Sequence, residues 1–391
     1  MLKALKVRIY PTPEQADFLN QQFGAVRLVY NKGLHLMRHY YRRYGKSLNA
    51  KRDIKPLLSV AKRSRKYHWL KNYDSIALQQ ACLNLHNAFL NFFNPSLTAQ
   101  YPCFKRRFGK QSSYHCMGIK LGDNWIKIPK LPAIKARIHR KLVGQLKSIT
   151  LSRSCTHKYY ASILIDDENE QPKLIQSLDE SKIIGLDVGL IDFISDSKGN
   201  KTGNPRFLQR ATRNLKRKQR QLSRKQKGSN KRSKARILLA KCHEKLKQVR
   251  EDFQHKLSKQ IVDENQAMIV ESLKIKNMLK NNRLAKHISD ASWDAFLRKL
   301  AYKAQAQGKH FVCTDQWFAS SKTCSVCHQK MDEMPLSIRQ WQCPSCKASH
   351  DRDVNAAINI KQQGILKLKA EGLSVSANGG LCKSGLIPAV A

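Results

Sequence analysis

Cys324, Cys327, Cys343 and Cys346 form two Cys-x-x-Cys pairs, and Asp351 and Asp353 follow directly behind the second pair. Four thiolates at this spacing can close a tetrahedral shell around one structural Zn²⁺, each pair supplied by a tight turn. Three carboxylates offer a different chemistry. Asp187 ends the apolar run IIGL, Glu271 ends the run AMIV, and Asp353 stands at the start of the helix-like VNAAINI. An acid at the end of a buried strand is costly without a partner, and a helix start favours the ionised form. Phosphodiester hydrolysis without a covalent intermediate needs divalent metal, and Mg²⁺ (or Mn²⁺) is held by a few converging carboxylates while keeping several waters.

Each acid taken alone also has an ordinary reading. Asp187 in GLDVG suits a turn, Glu271 suits a pair with a nearby lysine, and Asp351 suits a helix N-cap. Asp192, Asp196 and Asp315 read as turn or strand-end residues. The combination favours a metal site: a strand acid, a later strand acid and a helix-start acid, in the order of RNase H-like nucleases, with a zinc knuckle before the third.

The elements that must position these groups change character along the chain. Residues 3–10 alternate as a strand with Leu5, Val7 and Ile9 on one face. Thr12, Pro13 and Gln15 spell a helix start with a capping box, and helical spacing continues to about Tyr44, with Tyr40 and Tyr41 read as core. A second helix is expected over 75–93, with Ile76, Leu83, Leu85, Ala88, Phe89, Phe92 and Phe93 as its apolar positions. Short β-like runs fill 116–166, and the strand at 3–10 is expected to join them, leaving 11–95 as an inserted helical module. From Lys182 the pattern becomes α/β: strands at KIIGLDVG, LIDFIS, MIVESLK and HFVCTD, and a helix over 293–308. Pro205 to Arg250 carries 18 Lys/Arg against one Glu, on a helical pattern whose apolar stripe runs from Leu238 through Cys242, Leu246, Val249, Phe253 and Leu257 to Ile261.

Composition says what such a site would meet. The chain has 391 residues, 73 Lys and Arg against 28 Asp and Glu, and a net charge of +45. That imbalance repels itself unless a polyanion neutralises it, and nucleic acid does so with release of counterions. A membrane surface would call for a lysine-rich amphipathic helix or a lipidation signal, and neither is found. No stretch approaches the roughly 18 apolar residues of a membrane span. Outside the paired cluster the cysteines, among the chain's 11, are scattered without spacing. That usage suits a reducing, cytoplasmic setting with one zinc site.

The segments GLDVGLIDF, VESL, CSVC…CPSC and SHDRDVNAAINI resemble the split RuvC motifs and zinc knuckle of the TnpB family of transposon-encoded, RNA-guided nucleases. VRIYPTPEQADFL, AVRLVYN, NAFLNFF, PCFKRRF, IHRKLVG and RKQRQLSRKQKGSNKRSKAR resemble other parts of the family, so the likeness spans nearly the whole chain. It implies an α+β multidomain protein. A β-rich wedge (1–10 and 96–175) would hold an inserted helical recognition module (11–95). A RuvC-like nuclease domain (180–319 and 348–366) would carry a basic helical insertion (about 205–260) and the knuckle (320–347), with a flexible tail over 367–391.

The resemblance also implies Asp187, Glu271 and Asp353 as the acids holding Mg²⁺ or Mn²⁺, and the four cysteines as ligands of one structural Zn²⁺. The implied partners are a guide RNA from the transposon end and double-stranded target DNA beside a short flanking motif, with one protein copy per RNA and association with the nucleoid of a prokaryote. Candidate nucleic-acid contacts are Lys105, Arg106, Arg107, Arg217, Lys218, Arg220, Arg224 and Lys225, each of which also suits a solvated surface. One departure stands out: His328 and Lys347 occupy positions where the family usually has glycine, which predicts slight strain in the knuckle turns. The leading expectation is an RNA-guided endonuclease; the alternatives are an RNA-guided binding protein that does not cut, and a transposase or accessory transposition protein.

Overall fold

The computed structural model describes residues 1–107, 111–140, 142–335 and 337–376. The chain forms two compact units, Met1–Glu170 and Gln171 onward.

In the first unit the opening strand β1 (Leu2–Tyr10) alternates exposed and buried side chains, with Val7 and Ile9 each 1% exposed. A long helix α1 (Pro13–Tyr44) follows. Thr12 and Gln15 close its capping box, and Gly45, at φ 65°, ends it in the left-handed region. A π-helical turn (Ala50–Ile54), α2 (Leu57–Arg63) and a 3₁₀ turn (His68–Asn72) lead to α3 (Ser75–Phe93), capped by Asp74. The chain then forms β2 (Gln111–Cys116), β3 (Lys120–Leu121), β4 (Trp125–Lys127), β5 (Ile134–Arg137), β6 (Gln145–Ser154) and β7 (Tyr159–Asp166). These join β1 in one sheet of order β2-β6-β7-β1-β5-β4-β3, with β1 antiparallel to both neighbours. The first strand thus lies in mid-sheet, beside strands more than a hundred residues away in sequence.

Two packing expectations in this unit fail. Tyr41 is 58% exposed rather than core, on the outer side of the last turns of α1; Tyr40 is half-buried and packs on Tyr44, ring centroids 4.7 Å apart. In α3 the buried face is Ala77, Leu78, Ala81, Cys82 and Leu85, while Ile76 and Phe93 point outward.

The second unit contains β8 (Ser177–Asp179), β9 (Ile183–Val188), β10 (Asp192–Asp196), β11 (Lys201–Gly203), α4 (Phe207–Ser223), α5 (Asn230–Glu264) and β12 (Ala267–Val270). After these come α6 (Ile275–Met278), α7 (Ala285–Ala291), α8 (Trp293–Ala306), β13 (His310–Cys313), β14 (Gln340–Gln342), β15 (Ser349–Asp351), α9 (Arg352–Ala370) and β16 (Ser374–Ser376). Its main sheet has the order β11-β10-β9-β12-β13, with β9, β12 and β13 parallel and β10 antiparallel to β9.

Alternation along the parallel strands gives this sheet two apolar faces. Ile184, Leu186, Met268 and Val270 pack with α8 residues such as Phe296 and Leu300, whereas Ile183, Ala267 and Ile269 pack with Ile360, Ile365 and Leu368 of α9. Helix α9 lies very close to this second face. A Cβ on Gly185 would collide with the Ala357 carbonyl, and one on Gly364 with the Ile269 side chain. Glycine is required at both contacts.

Two further expectations are corrected here. Helix α9 runs to Ala370 and β16 pairs in parallel with β8, so ordered structure continues well past residue 367; residues 377–391 lie outside the described residues. The basic segment is a pair of helices, and its apolar stripe is not packed throughout. Leu246 and Ile261 are buried, but Leu238 is 46% and Val249 38% exposed, so only part of the stripe is packed.

Candidate functional site

Register brings the first two acids together. Leu186 of β9 stands opposite Val270 of β12, so Asp187 and Glu271 occupy the next step along two adjacent parallel strands. Leu186 and Val270 face the α8 side, and alternation therefore turns both acids to the α9 side. The first turn of α9 carries Asp353, and α9 packs against β9 through the Gly185 contact. Asp351 caps that helix, its carboxylate accepting from the Asp353 and Val354 N–H groups at 3.1 Å each.

The electrostatics register this convergence. Burial, then the charges of Glu271 and Asp353, push the Asp187 carboxyl up to about 7, opposed by the charges of Arg352 and Arg339. Burial also raises Glu271 above the ordinary carboxylate range. Among the described residues no hydrogen bond or ion pair reaches the carboxylate of Asp187 or Glu271. Mutually repelling, half-buried, unpaired carboxylates are the oxygen donor set that a hard divalent cation takes. They do not form as tight a cluster as the cysteines do.

Three charged neighbours were not singled out by sequence reasoning. Arg339 places Nη1 3.3 Å from Asp353 Oδ1. Its carbonyl accepts the Arg352 N–H at 2.8 Å, and buried Arg352 in turn donates to Pro335 O at 2.7 Å. Lys201 on β11 lies 2.7 Å from Asp351 and 4.0 Å from Asp192. Against the cost of its partial burial, the Lys201 bond and two backbone N–H groups hold Asp351 below the usual carboxylate range. Arg339 gives no local sequence signal, being one arginine in a loop of a basic chain. Asp315 pairs with Lys367 at 2.6 Å, and Asp196 caps its own turn through the Lys198 and Asn200 N–H groups.

The ligand atoms of Cys324, Cys327, Cys343 and Cys346 all lie within 4.8 Å of one another, the one compact group of potential metal ligands among the described residues. The two turns are copies of one design. The N–H of His328 donates to Cys324 O and that of Lys347 to Cys343 O, both at 3.0 Å; Cys324 N–H donates to Gln329 O and Cys343 N–H to Ala348 O, both at 2.9 Å. His328 and Lys347 have φ of 62° and 61°, the left-handed region that favours glycine. The sulfurs share charge unevenly. The Gln329 backbone N–H draws the Cys327 thiol down to about 6. Cys346, despite the Ala348 N–H, is driven up to about 12 by desolvation and by the other three sulfurs. A thiophilic cation would draw out all four protons, so the cluster is compatible with structural zinc. His350 approaches as well, its Nε2 3.0 Å from Cys324 Sγ and its ring against Trp341, centroids 4.7 Å apart and planes tilted by 38°.

The candidate nucleic-acid residues fall in separate places. Lys105 lies over the Tyr30 ring, 4.0 Å from its centroid, with its backbone gripped by the Asn31 side chain, while Arg106 and Arg107 are exposed beside it. In the second unit Arg217 and Arg220 are exposed and Lys218 half-buried on α4, and Arg224 and Lys225 occupy the turn into α5. No helix among the described residues is long and apolar enough to cross a membrane.

Residues 164–282 match a family described as "Probable transposase" (OrfB_IS605), and residues 293–360 match the Cas12f1-like TNB domain. Residues 1–46 match a helix-turn-helix domain; here they hold β1 and the whole of one uninterrupted helix, Pro13–Tyr44. A Streptomyces pristinaespiralis protein named "Putative RNA-guided DNA endonuclease" is 35% identical over 99% of this chain and 92% of its own length. An Escherichia coli protein, "Putative RNA-guided DNA endonuclease InsQ", is 29% identical over 98% of this chain and 96% of its own. Among solved structures, a Cas12f1–sgRNA–target DNA complex aligns with a TM-score of 0.52 at 12% identity, over 92% of this chain and 98% of that one. The shared fold is the mixed α/β fold of such effectors.

Proposed function

This chain belongs to the TnpB-like family of RNA-guided DNA endonucleases, a nuclease family, and we propose that it cuts target DNA, guided by RNA, at the site of Asp187, Glu271 and Asp353. The second unit is then a RuvC-type nuclease domain into which the zinc knuckle is inserted. The observation that carries this reading is the register of Asp187 and Glu271: two unpaired acids side by side at the ends of parallel strands, facing the helix whose first turn carries Asp353.

Mg²⁺ or Mn²⁺ bound by these three side chains would supply activation of water and stabilisation of the departing 3′ oxygen. The residues do the rest. Asp187 and Glu271 provide a half-buried acidic floor whose ionisation is costly until cations are held there. Arg339 presents its guanidinium beside Asp353 and can pair with a scissile phosphate, adding positive charge where charge develops. Lys201 holds Asp351, and Asp351 holds the first turn of α9, fixing Asp353. The basic helices α4 and α5 provide the phosphate-neutralising surface that RNA and DNA require. A short flanking motif, read by the protein while base pairing reads the target, completes the scheme.

The test is cleavage of a plasmid carrying the guide-matched target, in Mg²⁺ and in EDTA. Glu271→Gln and Asp187→Asn should abolish cutting while RNA still co-purifies. Wild-type cutting by either variant, or equal cutting in EDTA, would refute the assignment. Strand-joined products from transposon ends would favour a transposase instead.

A further inference from the structure

Trp317 is 87% exposed, far more than any other tryptophan of the chain. It does not sit on a loose loop. The turn that carries it closes with Phe318 N–H donating to Asp315 O at 3.2 Å. On one side Thr314 N–H donates to Val270 O at 2.8 Å and Lys367 pairs with Asp315; on the other the buried Asn359 amide holds Ser320 O at 2.8 Å. A large indole is thus presented to solvent by a fixed backbone, where burial would have been the favourable course. One cation accompanies it: Lys274 Nζ lies 5.9 Å from the ring centroid.

Position gives this pair its meaning. Trp317 follows β13 and Lys274 follows β12, strands that are neighbours, with Val270 opposite Cys313. Glu271 lies between Val270 and Lys274 in the chain, so the indole and ammonium stand at the same end of the sheet as the proposed metal-binding acids. Lys274 also lines, with Lys276, Asn277 and Asp294, a hollow of about 670 Å³ whose other walls are largely apolar, among them Leu273, Ile288 and Trp293. An exposed π face beside an ammonium group fits an unpaired base followed by its phosphate. A paired duplex hides its base faces, and an acidic peptide gains nothing from the indole face.

We propose that Trp317 is a stacking platform for an unpaired nucleotide of a strand led to the nuclease site, with Lys274 and Lys276 taking adjacent phosphates. The destination of that strand rests on the nuclease reading above; the stacking does not.

The full chain, freed of co-purifying nucleic acid at high salt, would be titrated in EDTA with short labelled oligothymidylate, oligouridylate and a blunt DNA duplex. Trp317→Ala should weaken single-strand binding about tenfold, Trp317→Phe far less, and duplex binding should not change. A deficit on oligothymidylate alone assigns the platform to DNA; a deficit on both single strands assigns it to any unpaired base. Because stacking is not ionic, the Trp317→Ala deficit should persist as salt rises, whereas a Lys274→Ala deficit should shrink. Wild-type binding by Trp317→Ala, or an equal loss on the duplex, would overturn the proposal. No cleavage enters this measurement, so a failed plasmid assay counts against the nuclease reading and leaves the stacking result standing. Among the described residues Trp317 belongs to no hydrophobic core, and an unchanged melting curve for Trp317→Ala confirms that folding is intact.

Discussion

Arg339 Nη1 stands 3.3 Å from Asp353 Oδ1, so a side chain from the loop behind the first cysteine pair is ion-paired to the acid at the start of α9. Both are partly exposed, at 47% and 20%, and the pair itself adds little to stability. Its value is positional. The guanidinium is held where an anionic substrate would arrive. Arg339→Ala is expected to slow single-turnover cleavage about 100-fold, with DNA binding nearly unchanged and Arg339→Lys intermediate. Equal cleavage by Arg339→Ala and wild type would show that the arginine serves Asp353 alone.

Asp187 predicts a pH dependence. Its carboxyl is raised to about 7, above the ordinary 3.8 of an unfolded chain. Between those values the folded protein keeps a proton that the unfolded chain has lost, so stability falls as pH rises through this window and is flat above it. Partial solvent access reduces the full effect to about 2–4 kcal/mol. In EDTA, the melting temperature of Asp187→Asn relative to wild type should climb from pH 4 to pH 7. A constant difference would contradict the burial and charge crowding assigned to this site.

The knuckle turns carry a small strain. His328 and Lys347 hold φ of 62° and 61° without being glycine. His328→Gly and Lys347→Gly should each stabilise the zinc-loaded fold by about 1 kcal/mol, read as a higher chelator or thermal midpoint. Cys343→Ser should lower bound zinc from one equivalent, measured by elemental analysis, and loosen the β14–β15 hairpin that carries Arg339 toward Asp353.

Close approach of α9 to the sheet gives a distal test. Gly185→Ala would drive a methyl into the Ala357 carbonyl. The backbone there cannot move aside as a flexible side chain would. A loss of about 2–3 kcal/mol is expected, with cleavage reduced more than RNA binding, because Asp353 is displaced from Asp187. Denaturant unfolding and cleavage on the same preparation would check both parts.

Among the surface candidates, Arg217→Ala and Arg220→Ala should each reduce the slope of log affinity against log salt by about 1 for nucleic acid. An unchanged slope would mark these arginines as a solvated face of α4.

Much of the local structure was legible because it is written in short-range physics. The Thr12–Gln15 capping box, the span of α3 and the Asp351 cap follow from residue types within one turn of helix. The tight turns of the knuckle follow from the cysteine spacing. Where packing depends on what lies overhead, the sequence misled. Tyr41, Phe93, Leu238 and Val249 continue apolar periodicities, yet each stays more than a third exposed among the described residues. The end of α9 and β16 read as a loose tail because Gly- and Ser-rich composition conceals a short strand whose partner, β8, lies about two hundred residues earlier.

By itself the sequence determined the chemistry on offer: which carboxylates end buried strands, which four thiols can share a cation, and how strongly the chain attracts phosphate. Each follows from residue type and near neighbours. Only the tertiary structure decided that Leu186 stands opposite Val270, that Asp187 and Glu271 therefore turn to the same face, and that Arg339 and Trp317 reach the end of that sheet. Register and helix-to-sheet distance are set by interlocking surfaces far apart in the chain, such as Gly185 beneath Ala357, and no local pattern encodes them.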